Sequence, residues 1–387
     1  MRRSAVMATL LGMSLSIFVL LSHGRCSAAQ PEVSFGPFVP TPMPVVEEML
    51  KLANVTKDDV VYDLGCGDGR IVIMAAKKFG ARGVGIDIDA GLIEKCKESA
   101  KREGVSDKVH FIAEDAMKSD VRDATVVTLY VLPSAMLKLR PKLLRELKPG
   151  VRIVSHNYSM GDWEADKVVH VNVDYQRTLY YWVVPAGVAG VWRWKTVIND
   201  KSLECMLRLK QEFQKLSGTL SIGETACEIS DGKVTGNEVS FSATASVGGK
   251  EVKMAFNGKV SGDTINGTQT IDGASLNWNA RRTRVDIVGR WTWAAKTPDG
   301  DLTGQLTIGR DERGIPTLTL VSDGVETAIW DSYVWGACMR FSVKLHTQKG
   351  ERELTFTGFV EGKEMVGEVR CEAWEAKGEW RAKRLAE

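Results

Sequence analysis

Hydrophobic and polar positions along this chain follow two different periods, and the change between them falls near residue 186. Helical signal begins at Val45 and runs to about Ala53. Short apolar runs then alternate with amphipathic stretches at helical spacing. The pattern predicts strands at 60–64, 83–88, 109–113, 124–130 and 151–156, and helices at 70–79, 90–103 and 133–147. Segments 168–173 and 178–184 read as a closing hairpin. Strands alternating with helices imply a parallel sheet with crossover helices. Upstream, Pro37, Pro40, Pro42 and Pro44 rule out a regular helix, because proline lacks the N–H that a helix interior uses.

After Pro185-Ala186-Gly187 the helical period disappears, and short alternating segments with Gly-rich turns predict antiparallel β structure to the end. This half repeats itself. Gly190-Val-Trp192-Arg-Trp194 returns as Gly289-Arg-Trp291-Thr-Trp293, and Phe256-Asn-Gly-Lys-Val260 returns as Phe356-Thr-Gly-Phe-Val360. Trp278-Asn-Ala-Arg281 is matched by Trp380-Arg-Ala-Lys383. An offset near 100 residues indicates tandem small domains, since solenoid repeats run roughly 20–50 residues. Each copy resembles a small lipocalin-like or clam-shaped β module. The W-x-W tryptophans either line a ligand surface or plug a barrel end. The organisation is therefore a leader at 1–29, an α/β domain at 30–186, and β modules at 187–285 and 286–387.

The leader reading rests on Arg2 and Arg3, an apolar run over 5–21, and the small residues Ser27, Ala28 and Ala29, the marks of a secretory signal peptide. It predicts an exported protein. The alternative is an uncleaved membrane anchor over 5–21, which makes this segment the membrane contact. Hydrophobic residues are 44% of the 387 and charged residues 26%, an ordinary globular balance, and the net charge of +2 gives no basic field for nucleic acid. The cysteines contain no C-x-x-C pair. Cys205–Cys227 and Cys338–Cys371 are candidate bridges in an exported protein, with free buried thiols as the alternative. The histidines have no metal-ligand spacing, so no metal is expected, and no G-x-S-x-G elbow supports serine hydrolysis.

The strongest motif is Val60-Val-Tyr-Asp63-Leu-Gly65-Cys-Gly67-Asp-Gly69-Arg70, placed where a strand ends and a helix begins. Glycines there let the backbone turn sharply and approach a ligand closely. A second strand ends in Asp87, where a carboxylate can accept hydrogen bonds from ribose hydroxyls. Arg70 breaks the G-x-G-x-x-G spacing of nicotinamide binders. The D-x-G-x-G-x-G form resembles the first motif of class I S-adenosylmethionine-dependent methyltransferases. Gly85-Ile-Asp87-Ile-Asp89, Phe111-Ile-Ala-Glu-Asp115-Ala and Leu147-Lys-Pro149-Gly150 are similar to that family's later motifs, and the resemblance covers about 40–185. It implies a Rossmann-like methyltransferase fold with S-adenosyl-L-methionine as donor. Asp63, Gly65, Gly67 and Gly69 would cradle its methionine end, Asp87 its ribose, and Asp115 its adenine. Asp89 reads as an N-cap for the helix that begins at Ala90. Asp68 and Arg70 form either a loop ion pair or a ligand contact.

A narrower resemblance rests on Phe38-Val-Pro40-Thr-Pro42, on Asp63-Leu-Gly-Cys-Gly-Asp-Gly-Arg-Ile71, and on Tyr130-Val-Leu-Pro133. These are similar to small protein-lysine methyltransferases of the mitochondrial ATP-synthase-subunit type and their bacterial relatives. That implies a protein substrate and a lysine amine as acceptor. Tyr130 is the candidate acceptor-site residue, with a packed aromatic as the alternative. His156 is a candidate base, set against a polar residue that simply ends a strand. A different reading of the whole chain makes it an exported protein whose β modules bind a surface polymer, lipid or protein, beside a degenerate methyltransferase-like domain.

Overall fold

The structure is a computed structural model that describes residues 34–198, 201–247 and 249–385. The predicted leader 1–29, the anchor alternative and Cys26 lie outside these residues.

The α/β domain opens with α1 (Met43–Leu52), which begins within the proline-rich stretch: Pro44 sits in its first turn, where a missing N–H costs nothing. The expected upstream limit at Val45 was therefore two residues late. Helix α1 buries Val45, Val46, Met49 and Leu50. Next come β1 (Val60–Leu64), α2 (Arg70–Phe79), β2 (Arg82–Asp87), α3 (Ala90–Arg102), β3 (Val109–Ala113), β4 (Val126–Leu129), α4 (Pro133–Glu146), β5 (Arg152–His156), β6 (Lys167–Val173) and β7 (Tyr175–Val183). Left-handed Gly80 stops α2, and the Asp89 carboxylate caps α3 by accepting from the Gly91 and Leu92 N–H groups.

The sheet order is β3-β2-β1-β4-β5-β7-β6, parallel except for the hairpin β6–β7, whose second strand inserts antiparallel beside β5. Strand order reverses between β1 and β4. In open α/β sheets, ligands bind beyond the carboxyl ends of the strands at such a point. No helix crosses from β3 to β4 or from β5 to β6.

The β region comprises β8 (Gly190–Ile198), β9 (Lys201–Glu212), β10 (Lys215–Ile222), β11 (Thr225–Thr235), β12 (Glu238–Val247), β13 (Lys250–Ser261), β14 (Thr264–Ile271) and β15 (Ala274–Thr283), which close into a barrel. Trp192, Trp194, Phe241, Phe256 and Trp278 fill its interior. The remaining strands are β16 (Gly289–Thr297), β17 (Gly300–Arg310), β18 (Pro316–Ser322), β19 (Val325–Thr327), β20 (Ile329–Trp335), β21 (Cys338–Thr347), β22 (Gly350–Glu361), β23 (Glu364–Arg370) and β24 (Gly378–Arg384). They form a nine-stranded sheet whose two edges are β19 and β20. All six described cysteines are free, so the candidate bridges Cys205–Cys227 and Cys338–Cys371 do not form in this structure.

Candidate active site

The loop after β1 turns on three glycines in the left-handed region, Gly65 (φ 81°), Gly67 (φ 56°) and Gly69 (φ 74°). Side chains disfavour that region, which is why glycine recurs here. The Gly67 N–H donates to Asp87 Oδ2 at 2.9 Å, and the Asp89 N–H donates to Asp87 Oδ1 at 3.0 Å. These bonds fix the carboxylate at the end of β2, and each oxygen keeps a lone pair for a further donor. Asp115 stands in the turn after β3 and accepts from the Met117 N–H at 2.9 Å. Gly65, Gly67, Gly69, Asp87 and Asp115 thus gather along the carboxyl ends of β1, β2 and β3.

Asp63 lies beneath this loop. It is 3% exposed and accepts from Thr128 Oγ1 on β4 at 2.7 Å. Burial, helped by the charges of Asp87 and Asp68, pushes its carboxyl up to about 7 even though the Thr128 bond opposes the shift. Cys66 is buried in the loop, and its hydrogen bond with Cys96 together with burial raises the thiol far above its ordinary range. It is therefore no thiolate nucleophile. Asp68 pairs with Arg70 (Nε to Oδ1 2.8 Å), and Arg70 Nη1 also donates to the Thr41 carbonyl at 2.8 Å.

That last bond belongs to a strap to which sequence pattern alone assigns no role. Residues 35–41 run over the loop, anchored by the Leu132 N–H on the Phe35 carbonyl at 3.1 Å and by Arg70 on Thr41. The half-exposed Phe38 ring lies directly on Gly67, where any Cβ would collide with it.

Thr41 links the strap to a second cluster. Its Oγ1 lies 3.1 Å from His156 Nδ1, at the end of β5. The His156 ring packs against Tyr130 (centroids 4.0 Å apart), and Tyr130 stacks on Tyr158 at 6.1 Å. Burial, and secondarily the Arg177 charge, pushes the imidazole down to about 4. Burial, with Tyr158 and Tyr175 nearby, raises the Tyr130 phenol above its usual value. Both groups are neutral at pH 7. Tyr158 and Arg177 were missed in the sequence because no local pattern marks them, and Thr41 stood within the Phe38–Pro42 motif without a role of its own. They meet through the antiparallel insertion of β7 and the strap.

Residues 63–167 match the family described as the ANTKMT methyltransferase domain. Over 150 residues the chain is 41% identical to a protein-lysine N-methyltransferase of Saccharolobus islandicus, covering 38% of this chain and 93% of that protein. It is 34% identical over 138 residues to the ATP synthase c-subunit lysine N-methyltransferase of Homo sapiens, covering 36% of this chain and 58% of the human protein. Among solved structures, an RNA methyltransferase from Salinibacter ruber in complex with S-adenosyl-L-homocysteine is 52% identical, covering 38% of this chain and 94% of that one, with a TM-score of 0.37. These matches cover well under half of this chain.

Proposed function

Since this chain belongs to the protein-lysine N-methyltransferase family of S-adenosylmethionine-dependent enzymes, we propose that it methylates the ε-amine of a lysine on a protein substrate. The observation that carries this reading is the pairing of two half-sites through Thr41: the glycine loop with Asp87 on one side, and the uncharged Tyr130–His156 cluster on the other.

The donor set fits S-adenosylmethionine. Three left-handed glycines turn the chain sharply at the end of β1, the Asp87 carboxylate suits a vicinal diol, and Asp115 suits an exocyclic amine. When bound, this cofactor supplies a methyl group on a sulfonium, an excellent leaving group. The chain's own task is to align and desolvate. A lysine must lose its proton before it acts as a nucleophile, and a buried wall of neutral side chains beside the Arg177 cation disfavours the ammonium form. Tyr130 supplies part of that wall. His156 is a weak base at pH 7, with Nδ1 beside Thr41 and Nε2 facing Arg177. We therefore assign it to holding Tyr130 in place rather than to removing a proton. Fixing the partners in line accounts for a large share of acceleration in such transfers.

The test is incubation of the protein with radiolabelled donor and the proteins and RNA of its own compartment. Label recovered as Nε-methylated lysine supports the proposal, and label confined to RNA overturns it. Substituting Asp87→Ala is expected to abolish donor binding in calorimetry. Intact donor affinity in that variant would remove Asp87 from the site.

Two further parts of the reading concern the rest of the chain. We propose that residues 1–29 are a secretory leader, on the strength of Arg2, Arg3 and the apolar run. A mature N-terminus at residue 29 or 30 supports cleavage, and an intact Met1 favours the anchor. We also propose that 187–285 and 286–387 are tandem copies. In support, Trp192 and Trp291 both donate from Nε1 to a carbonyl four residues earlier, at 2.8 and 3.1 Å.

A further inference from the structure

Arg177 stands apart from the other buried cations of this molecule. Its side chain is 8% exposed. Among the described residues its guanidinium makes one polar contact, Nη1 to His156 Nε2 at 3.5 Å, which is long for a hydrogen bond, and its buried Nε has no partner. The Tyr175 ring covers it, with Cζ 4.0 Å from the centroid, and that ring is itself 59% exposed. Arg140 and Arg340 are equally buried, yet both pair with Asp331 and Asp162. Buried cations are almost always paired, because an uncompensated charge out of water is costly. A guanidinium presents five donors in a planar fork that matches a carboxylate.

Its place in the fold points to the missing partner. Arg177 sits near the start of β7, beside the carboxyl end of β5 and against the Tyr130–His156 cluster. Strands β4 and β5 separate β7 from β1, which carries the glycine loop. Three strand spacings of ~4.8 Å put it roughly 14 Å along the sheet from β1. That is the acceptor side rather than the donor side.

We propose that Arg177 is a carboxylate-recognition residue of the acceptor site, receiving an acidic side chain that neighbours the methylated amine. The inference rests on the lysine-transfer reading above. The methionyl carboxylate of the donor has the same chemistry, so the experiment separates the two sources.

Calorimetry is run on the full chain saturated with S-adenosylhomocysteine, using short peptides with a central lysine flanked by glutamate and a matched set flanked by glutamine. Wild type is expected to bind the glutamate set roughly 10- to 100-fold more tightly, the range for a hydrogen bond to a charged group. Substituting Arg177→Met is expected to erase this preference and leave the affinity for S-adenosylmethionine unchanged. The melting temperature of R177M is expected to hold or rise, because an unpaired buried charge is removed. Should donor affinity fall by that factor while the peptides go undiscriminated, the carboxylate is the donor's and the acceptor assignment is overturned. No change in either quantity overturns it as well, and so does a lowered melting temperature without lost preference, which marks a structural arginine. A third peptide set with norleucine in place of lysine keeps the two readings apart. A glutamate preference that survives there, with no methyl-lysine formed in any assay, supports the carboxylate site and refutes lysine transfer.

Discussion

Asp63 and His156 carry opposite proton linkages within the same domain. The Asp63 carboxyl is raised from 3.8 to about 7, so the native state holds its proton more tightly than the unfolded chain does. Its contribution to stability is complete below pH 3.8 and is lost as pH rises through 7, about 4 kcal/mol over the window. His156 is lowered from 6.5 to about 4, so its contribution is present above pH 6.5 and is lost as pH falls through 4. Between pH 4 and 6.5 the two slopes oppose each other. Denaturant unfolding across pH 4–7.5 should therefore give D63N a stability that climbs with pH, and H156Q one that falls. Parallel slopes in the two variants would refute both assignments. A second consequence concerns the donor, whose sulfonium cation favours ionised Asp63. Affinity for S-adenosylmethionine is expected to rise from pH 6 to 8, affinity for S-adenosylhomocysteine, which keeps the α-ammonium but lacks the sulfonium charge, to rise less, and D63N to flatten both profiles. The spacing of Asp63 before Gly65 was legible in the sequence, but its ionisation was not. That depends on burial beneath the loop, which outweighs the opposing bond from Thr128, brought from β4 by strand pairing.

Most elements of the α/β domain could be drawn from periodicity, because their apolar faces are continuous and their ends carry strong signals such as Gly80 and Asp89. What periodicity could not show is how the two β modules differ. In the barrel, β11 stays paired to β10 past its bulge, with Leu216 against Gly232 and Lys215 against Lys233. In the second module the corresponding stretch breaks into β19 and β20: Val325 pairs with Ser322, but β20 turns to β21 alone. The seam thus opens beyond the Leu320–Thr327 pair, and Pro316 further along β18 has no N–H with which to resume it. A cavity of about 270 Å³ lies there, walled partly by Leu144 and Arg145 of α4. Two sequences of the same alternating pattern can close or open according to what docks on one strand. What both modules share is a bare position in the ladder: at Gly267 any Cβ would collide with the Asn257 carbonyl of β13, and at Gly367 with the Thr357 carbonyl of β22. Substituting Gly267→Ala is expected to lower stability by ~1–3 kcal/mol in denaturant titration while leaving donor binding intact. A neutral result would mean that the β13–β14 ladder shifts freely.

At the scale of the whole molecule, the strand that fails to close its barrel packs on the catalytic domain. Asp331 sits on the β20 bulge in a left-handed conformation (φ 50°) and is buried between Arg140 of α4 and Arg340 of β21. Both arginines also reach Asp162 in the β5–β6 connection, at 2.5 and 2.6 Å. The ring of Phe213, from the β9–β10 turn of the barrel, lies between the two guanidiniums, 5.3 and 5.2 Å from their centres. Five segments, from the catalytic domain and both β modules, therefore share one charge cluster, buried except for the half-exposed Asp162. No local pattern in the sequence announces it, since its members lie up to 200 residues apart and each reads singly as an ordinary surface charge. Removing Asp331 leaves two buried guanidiniums sharing one half-exposed carboxylate, at a cost that approaches the ~3–5 kcal/mol of a broken buried pair. Asp331→Ala is expected to lower the melting temperature of the full chain and to separate the melting of the α/β domain from that of the β modules in calorimetry, because the catalytic domain then loses this contact with β20. Substituting Arg140→Met in the same chain should recover part of the loss, since Asp162 then has to compensate one guanidinium instead of two. If Asp331→Ala melts like wild type, the cluster does not hold the domains together, and the barrel contacts through Gln214 and Lys215 on Glu164 would have to carry the interface instead.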